Sequence, residues 1–150
     1  MDELLNQAFD LHKQGQLGEA ENLYNELLKQ SPDNIQVLDL LARLKLSQKK
    51  YQESIELNKT ILKLDSQNEN ALFDIALAYK NEGFLKEALE YYNQAISLNP
   101  QNTNAHYNIA FIYADLGDVD NAIYHFNKVL EHNPNDSDTK YFVSLAYLKN

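Results

Sequence analysis

The side chains that could carry acid–base or metal chemistry in this chain are four histidines and 22 carboxylates. Imidazoles ligate transition metals and act as general bases near neutral pH. His125 and His132 are seven residues apart, which is two helical turns and too far along a helix axis for both to bind one ion. His12 and His106 lie elsewhere in the chain. We therefore expect the histidines at surfaces or helix interfaces, and not in a metal site.

Sequence motifs of common catalytic and nucleotide-binding sites do not occur. The chain has no G-x-G-x-x-G, no phosphate-binding loop, no G-x-S-x-G and no H-E-x-x-H. It also has no cysteine, which excludes disulfides, thiol catalysis and cysteine zinc sites. We predict no catalytic residue, no cofactor and no metal, and we interpret the chain as a protein that is not an enzyme.

The charge of the chain limits its partners. Its 150 residues include 22 acidic and 13 basic side chains, a formal net charge of −9. Such a chain is repelled by nucleic-acid phosphates and by anionic lipid. The N-terminus, MDELLNQAFD, is charged and lacks the features of a signal peptide, and no apolar run approaches the roughly 18 residues of a membrane span. We expect a cytoplasmic protein that binds no nucleic acid and does not insert into membranes.

A 34-residue period organises the sequence. Three prolines and three glycines fall on it: Pro32, Pro100 and Pro134, and Gly15, Gly83 and Gly117. Small residues hold the eighth position (Ala8, Ala42, Ala76, Ala110, Ser144), and mostly rings hold the twenty-fourth (Tyr24, Asn58, Tyr92, Phe126). Fixed small and large positions of this kind indicate repeated helix packing.

Each repeat is predicted to contain two helices. In the third repeat, Leu72, Ile75, Ala76 and Tyr79 recur at helical spacing. Gly83 is a suitable helix stop because glycine adopts left-handed angles without a Cβ clash. The second helix should end at Asn99-Pro100, and Asn102 should cap the helix that follows.

The pattern Leu72, Ile75-Ala76, Tyr79, Gly83, Ala88, Tyr92, Ala95, Pro100 resembles the tetratricopeptide repeat. The resemblance covers the chain and implies an all-α, right-handed superhelical solenoid of antiparallel helix pairs. We expect a single domain over 1–150, with repeats at 1–34, 35–68, 69–102 and 103–136. Residues 137–150 are expected to form a closing helix, in which Lys140 replaces an apolar residue and faces water.

The resemblance also implies a ligand groove, lined by positions two, five, nine, twelve and thirteen of each first helix, with position six at its edge. Apolar rings with hydrogen-bonding tips would suit a peptide or an amphipathic helix. The alternative is that some of these rings pack against neighbouring helices. The candidate groove residues are Phe9, Arg43, Phe73, Leu77, Tyr107, Asn108, Phe111, Tyr141 and Leu145.

Some relatives hold acidic C-terminal tails through a clamp of lysines, asparagines and an arginine. Here Asp39 and Asp74 stand at two of the clamp positions and the lysines are missing. Because a groove carboxylate repels an acidic tail, we predict that this type of binding does not occur. Asn108 remains a candidate donor to the backbone of an extended ligand.

The second repeat departs from the pattern toward polar residues, with Lys45, Lys49, Ser54, Asn58 and Ser66 at signature positions. One interpretation is drift, with its lysines on solvated faces. The other is a locally weak repeat, or a basic spot for an acidic partner.

Three functions fit the sequence. The first is a protein–protein interaction scaffold that binds a peptide or helix in the groove. The second is the recognition arm of an enzyme such as a glycosyltransferase, because the segment AFDLHKQGQLGEAENLYNELLKQSPDN looks like the repeat found ahead of some such domains. The third is a self-associating assembly module.

Overall fold

Residues 2–148 are described by a computed structural model. In this range the chain forms nine α-helices and divides into two compact units between Phe84 and Leu85. Unit 1 contains α1 (Asp2–Lys13), α2 (Leu17–Gln30), α3 (Ile35–Ser47), α4 (Tyr51–Leu64) and α5 (Glu69–Glu82). Unit 2 contains α6 (Leu85–Leu98), α7 (Thr103–Asp115), α8 (Val119–His132) and α9 (Ser137–Leu148).

The division separates the two helices assigned to the third repeat, so the single domain over 1–150 and the repeat boundaries stay predictions. Within residues 2–148, no helix has the length and apolar character needed to cross a bilayer.

Small and large residues at fixed repeat positions form the core of each unit. In unit 1, Ala8, Ala20 and Tyr24 are fully buried and share one cluster. In unit 2, Ala110, Ala122 and Phe126 form the equivalent cluster. The alanines let two helices approach closely while the ring fills the space beside them. The predicted packing role is therefore confirmed at these positions, whereas Ser144, at the eighth position of the last helix, is exposed.

Asparagine side chains begin the first helix of three successive pairs. The Oδ1 atoms of Asn34, Asn68 and Asn102 accept hydrogen bonds from the backbone N–H three residues later, at 3.2, 3.0 and 2.9 Å. Each bond satisfies one of the donors that a helix N-terminus leaves unpaired. The predicted cap at Asn102 is confirmed.

Left-handed residues end the first helix of each pair. Gly15, Gly83 and Gly117 have φ of 78°, 87° and 78°. At Gly83 the N–H of the next residue, Phe84, donates to the carbonyl of Tyr79 at 2.9 Å, as in a Schellman motif. Lys49 occupies the glycine position of the second repeat and takes the same conformation, with φ of 61°. Its neighbour Lys50 donates to the carbonyl of Lys45 at 2.9 Å.

Replacing Lys49 with glycine should raise the free energy of unfolding by up to about 1 kcal/mol. A side chain at left-handed angles costs about 1–2 kcal/mol, and the entropy that glycine adds to the unfolded chain offsets about half of that. Urea denaturation at pH 7 measures the change. As a control, Lys63→Gly, in the last turn of α4, should destabilise the chain, because glycine disfavours ordinary helical residues.

The second repeat buries polar side chains. Ser54 and Asn58 are fully buried, and Lys45 is 6% exposed. Asn58 Nδ2 donates to the carbonyl of Ser54 at 3.1 Å, whereas Asn58 Oδ1 has no hydrogen-bond partner within the described chain. The interpretation of drift placed the lysines of this repeat on solvated faces. For Lys45 this is wrong, because its ammonium group is held between two glutamates.

Candidate functional site

Four rings of unit 2 form one contact cluster. Phe111 lies with its centroid 5.2 Å from Phe126 and 4.6 Å from Phe142, and Tyr107 lies 4.8 Å from Phe111. Phe126 is buried, while Tyr107, Phe111 and Phe142 are half-buried. Edge-to-face contacts of this kind stabilise a core. Phe111 is therefore part of the packing of α7 against α8 and α9, and it presents only one side to solvent.

Helix α9 exposes an apolar pair on the same unit. Tyr141 is 60% exposed and Leu145, one turn further, is 36% exposed. Tyr141 contacts Phe142 at 5.8 Å between ring centroids, which connects Tyr141 to the ring cluster. Exposed apolar side chains backed by a packed ring cluster form a firm surface for another apolar group.

Asn108 lies half-buried on α7. Its Nδ2 donates to the carbonyl of Asn104 at 2.8 Å, four residues earlier in the same helix. The amide of Asn108 is therefore oriented by its own helix, and its predicted contact with a ligand backbone remains a prediction.

A cavity of about 330 Å³ lies beside Tyr107 in unit 2. Asn104 and Asp138 line it from the second positions of α7 and α9, and Tyr107 lines it from the fifth position of α7. These are positions that the family resemblance assigns to the groove. The remaining lining residues are Thr103, Val129, Asn133 and Asp136.

The cavity has a negative electrostatic environment. Burial raises the pKa of the Tyr107 hydroxyl, and the carboxylates of Asp136 and Asp138 raise it further. The negative charge of these carboxylates disfavours a further anion in the cavity and favours a cation. The space beside Tyr107 thus suits a positively charged group.

In unit 1, the predicted apolar residues Phe73 and Leu77 are half-buried on α5, and Phe9 on α1 is 37% exposed. The ammonium group of Lys13 lies 4.2 Å from the centroid of the Phe9 ring, a cation–π contact. The face of α1 at Phe9 is thus already in contact with a cation from its own helix.

Arg43 is held between two carboxylates of unit 1. Its Nε lies 3.2 Å from Asp39 Oδ1 and 3.5 Å from Asp74 Oδ2. Asp74 is 8% exposed. Burial raises the pKa of Asp74 to about 6, although the positive charge of Arg43 acts in the opposite direction. Arg43 is therefore engaged inside the unit, and an arriving ligand would have to compete with Asp39 and Asp74 for it.

Two buried histidines form a contact that sequence reasoning missed. His106 Nδ1 and His125 Nδ1 are 2.8 Å apart, and His106 Nε2 lies 3.1 Å from the carbonyl oxygen of Pro100. If His106 Nε2–H donates to that carbonyl, its Nδ1 is the acceptor and His125 Nδ1–H is the donor. A second cavity, of about 590 Å³, lies beside His106. In the described chain, no group of three histidine, aspartate or glutamate side chains is arranged to hold a metal ion.

Comparison with known families and structures supports one assignment. Tetratricopeptide repeat profiles match residues 11–72 and 103–136, and a TPR repeat profile matches residues 81–117. No curated protein sequence matches the chain.

Several solved structures share the fold. The crystal structure of MamA superposes with a TM-score of 0.87 and 23% identity, over 95% of this chain and 83% of that one. MamA 41-end from Desulfovibrio magneticus RS-1 superposes with a TM-score of 0.81 and 22% identity, over 89% of this chain and 76% of that one. A tetratricopeptide repeat protein from Parabacteroides merdae ATCC 43184 superposes with a TM-score of 0.85 and 26% identity, and this chain spans 56% of the length of that protein.

These similarities confirm the all-α fold of paired helices that the 34-residue period predicted. The chain belongs to the tetratricopeptide repeat family.

Proposed function

We propose that the chain is a non-catalytic interaction scaffold whose unit 2 binds a peptide or an amphipathic helix on the face formed by α7 and α9. Tetratricopeptide repeats mediate protein–protein interactions and are generally not enzymes. The observation that carries the proposal is the exposed pair Tyr141 and Leu145 on α9, of which Tyr141 contacts the ring of Phe142. Burying these two side chains under a partner removes apolar surface from water, which is the main source of affinity at such faces.

The proposed ligand contacts of unit 1 are Arg43, Phe73, Leu77, and Phe9 beside Lys13. Among these residues, Arg43 is already paired with Asp39 and Asp74. For this reason unit 2 offers the clearer test.

Replacing Tyr141 and Leu145 together with alanine should weaken peptide binding by roughly 10- to 100-fold, the usual loss for two central contacts. Peptides selected from a random 15-residue library against the wild-type chain provide the ligands, and fluorescence anisotropy measures their affinities. Both side chains are exposed, so the variant should unfold at the wild-type denaturant concentration.

The matched control is Leu116→Ala/Tyr124→Ala. It removes the same two side-chain types from unit 2, at positions that are 51% and 54% exposed and lie outside α7 and α9. This control should bind the selected peptides with wild-type affinity. If both double variants bind equally well, the α7–α9 face is not the binding surface.

Self-association is the second candidate, because Tyr147 and Leu148 on α9 are 62% and 83% exposed. Two copies joined by this helix would show a mass that rises with concentration. Light scattering over a range of concentrations tests this, and a constant monomer mass would reject it.

A further inference from the structure

The cavity beside Tyr107 contains two carboxylates that have no cation of their own. Within residues 2–148, neither Asp136 nor Asp138 forms an ion pair with a side chain of the described chain, whereas Arg43, Lys45 and Lys128 each pair with a carboxylate. Helix α7, which forms one wall, contains no lysine or arginine. A partner that binds here meets negative charge that the fold has not neutralised.

The charge of Asp136 is not required for its structural role. Asp136 Oδ1 accepts hydrogen bonds from the N–H groups of Asp138 and Thr139 at 3.1 and 3.0 Å and so caps α9. At the equivalent position of the three earlier repeats the chain uses Asn34, Asn68 and Asn102, which cap their helices without charge. The carboxylate of Asp136 therefore adds a negative charge to this repeat that helix capping does not need.

Unit 1 shows how this chain binds a cation with two carboxylates. The guanidinium of Arg43 lies between Asp39 and Asp74, with N–O distances of 3.2 and 3.5 Å. Charge-assisted bonds of this kind are stronger than neutral ones when they are partly shielded from water. In unit 2 the corresponding first helix has Tyr107 and Phe111 in place of Asp39 and Arg43, so this helix supplies no cation to the cavity.

From the unpaired carboxylates, the cavity and the exposed apolar pair, we infer that the partner of unit 2 is a basic amphipathic peptide. A lysine or arginine of the peptide enters the cavity between Asp136 and Asp138 next to the Tyr107 hydroxyl, while its apolar side chains cover Tyr141 and Leu145. This inference rests on the proposed function, because it names the kind of ligand that the same face selects.

Three synthetic helices test it. They share the same leucine positions over 15 residues and carry lysine, glutamine or glutamate at every polar position. The lysine helix should bind the wild-type chain at least about tenfold more tightly than the glutamine helix at 0.15 M salt, and the glutamate helix should bind most weakly.

Two substitutions locate the charge effect. Asp136→Asn keeps a good helix cap, the residue that the other repeats use, and Asp138→Asn keeps the shape of the side chain. Each should weaken the lysine helix about fivefold to tenfold and leave the glutamine helix unchanged. The matched control is Asp120→Asn, which also removes an exposed aspartate from the first turn of a helix in unit 2. It should change the affinity for the lysine helix less than about twofold, since the screened field of one distant surface charge is weak.

The inference is overturned if the lysine helix binds the wild-type chain no better than the glutamine helix. It is also overturned if Asp120→Asn weakens binding as much as Asp138→Asn, because the attraction would then be that of an acidic chain in general. The proposed function fails separately, if Tyr141→Ala/Leu145→Ala leaves the affinity of the library-selected peptides unchanged.

Discussion

Replacing Lys45 with leucine is expected to lower the free energy of unfolding by about 2–3 kcal/mol, although leucine is the residue of the first repeat at this position. Lys45 is 6% exposed, and its Nζ lies 2.6 Å from Glu21 Oε1 and 2.5 Å from Glu53 Oε2. Removing the cation leaves two glutamates facing each other, although Glu21 keeps a longer contact of 3.8 Å with Lys50. Breaking a buried ion pair costs about 3–5 kcal/mol, and we reduce that figure because Glu53 is half exposed.

The protonation behaviour of the triad agrees with this pairing. Burial alone would lower the pKa of Lys45, but the hydrogen bonds to Glu21 and Glu53 outweigh burial and raise it. The pKa of Glu21 is lowered, chiefly by its hydrogen bond from Lys45. The ion pairs connect α2, α3 and α4, so their loss should loosen the packing of these three helices.

Urea denaturation of Lys45→Leu at pH 7 measures the loss. The triple variant Lys45→Leu/Glu21→Gln/Glu53→Gln should recover most of it, because neutral side chains no longer repel each other. Lys63→Ala removes an exposed lysine from the same repeat and should change stability by less than about 0.5 kcal/mol. A Lys45→Leu chain as stable as the wild type would contradict the prediction.

Lowering the pH from 6.5 to 4.5 should destabilise unit 2 by about 2 kcal/mol through His125. Burial lowers the pKa of His125 to about 4, and the neighbouring His106 contributes. Because the unfolded chain keeps the ordinary histidine pKa near 6.5, it binds more protons than the folded chain in this range, and stability falls as pH falls. The rings of Tyr113 and Tyr124 also contact His125, with centroid distances of 5.8 and 5.0 Å.

The same change of pH should act in the opposite direction in unit 1 through Asp74. Its pKa is raised to about 6 by burial, so the folded chain takes up a proton before the unfolded chain does. The resulting stabilisation is lost as pH rises through 6 and reaches about 2 kcal/mol at pH 4.5. Native-state hydrogen exchange measures both effects, because it reports protection helix by helix.

Matched variants assign each response to its residue. His106→Leu/His125→Leu should abolish the acid loss of unit 2, since the first two repeats have leucines at both positions: Leu4 and Leu23, Leu38 and Leu57. His132→Gln changes an exposed histidine and should leave the loss intact. Asp74→Asn should remove the gain in stability that unit 1 shows at low pH. Burial lowers the pKa of His12 in the same unit, so protonation of His12 acts against that gain. An undiminished acid loss in the double leucine variant would contradict the assignment to the histidine pair.

The repeat period predicted the backbone better than it predicted the polar contacts. The glycine and asparagine positions predicted the helix ends because each residue acts locally. Gly83 ends its helix in the left-handed conformation, and Asn102 caps the start of α7. Lys49 adopts the left-handed turn without being glycine. The N–H groups of Lys49 and Lys50 donate to backbone carbonyls in the same pattern as the N–H groups of Gly83 and Phe84. Local sequence thus explains where each helix begins and ends.

The contacts of His106 and Lys45 depend on pairs of positions in different helices. Comparing one position across the repeats shows that each residue is unusual, but not what it touches. Reading the fourth and twenty-third positions as a pair would have found the histidines, because both change from leucine in the first repeats to histidine in the fourth. Among the candidate groove residues, Phe111 could not be classified from sequence, because a ring in this position serves equally as core or as surface.

The short turns between successive helices also determine how the chain reaches its structure. In each unit the main packing partners are helices that follow one another in sequence, and the ring cluster of unit 2 spans only residues 107–142. Contacts between near neighbours close small loops, and chains with such contacts fold within microseconds to milliseconds. Rapid folding leaves the apolar helix faces open to other chains for little time, which lowers the risk of aggregation during synthesis.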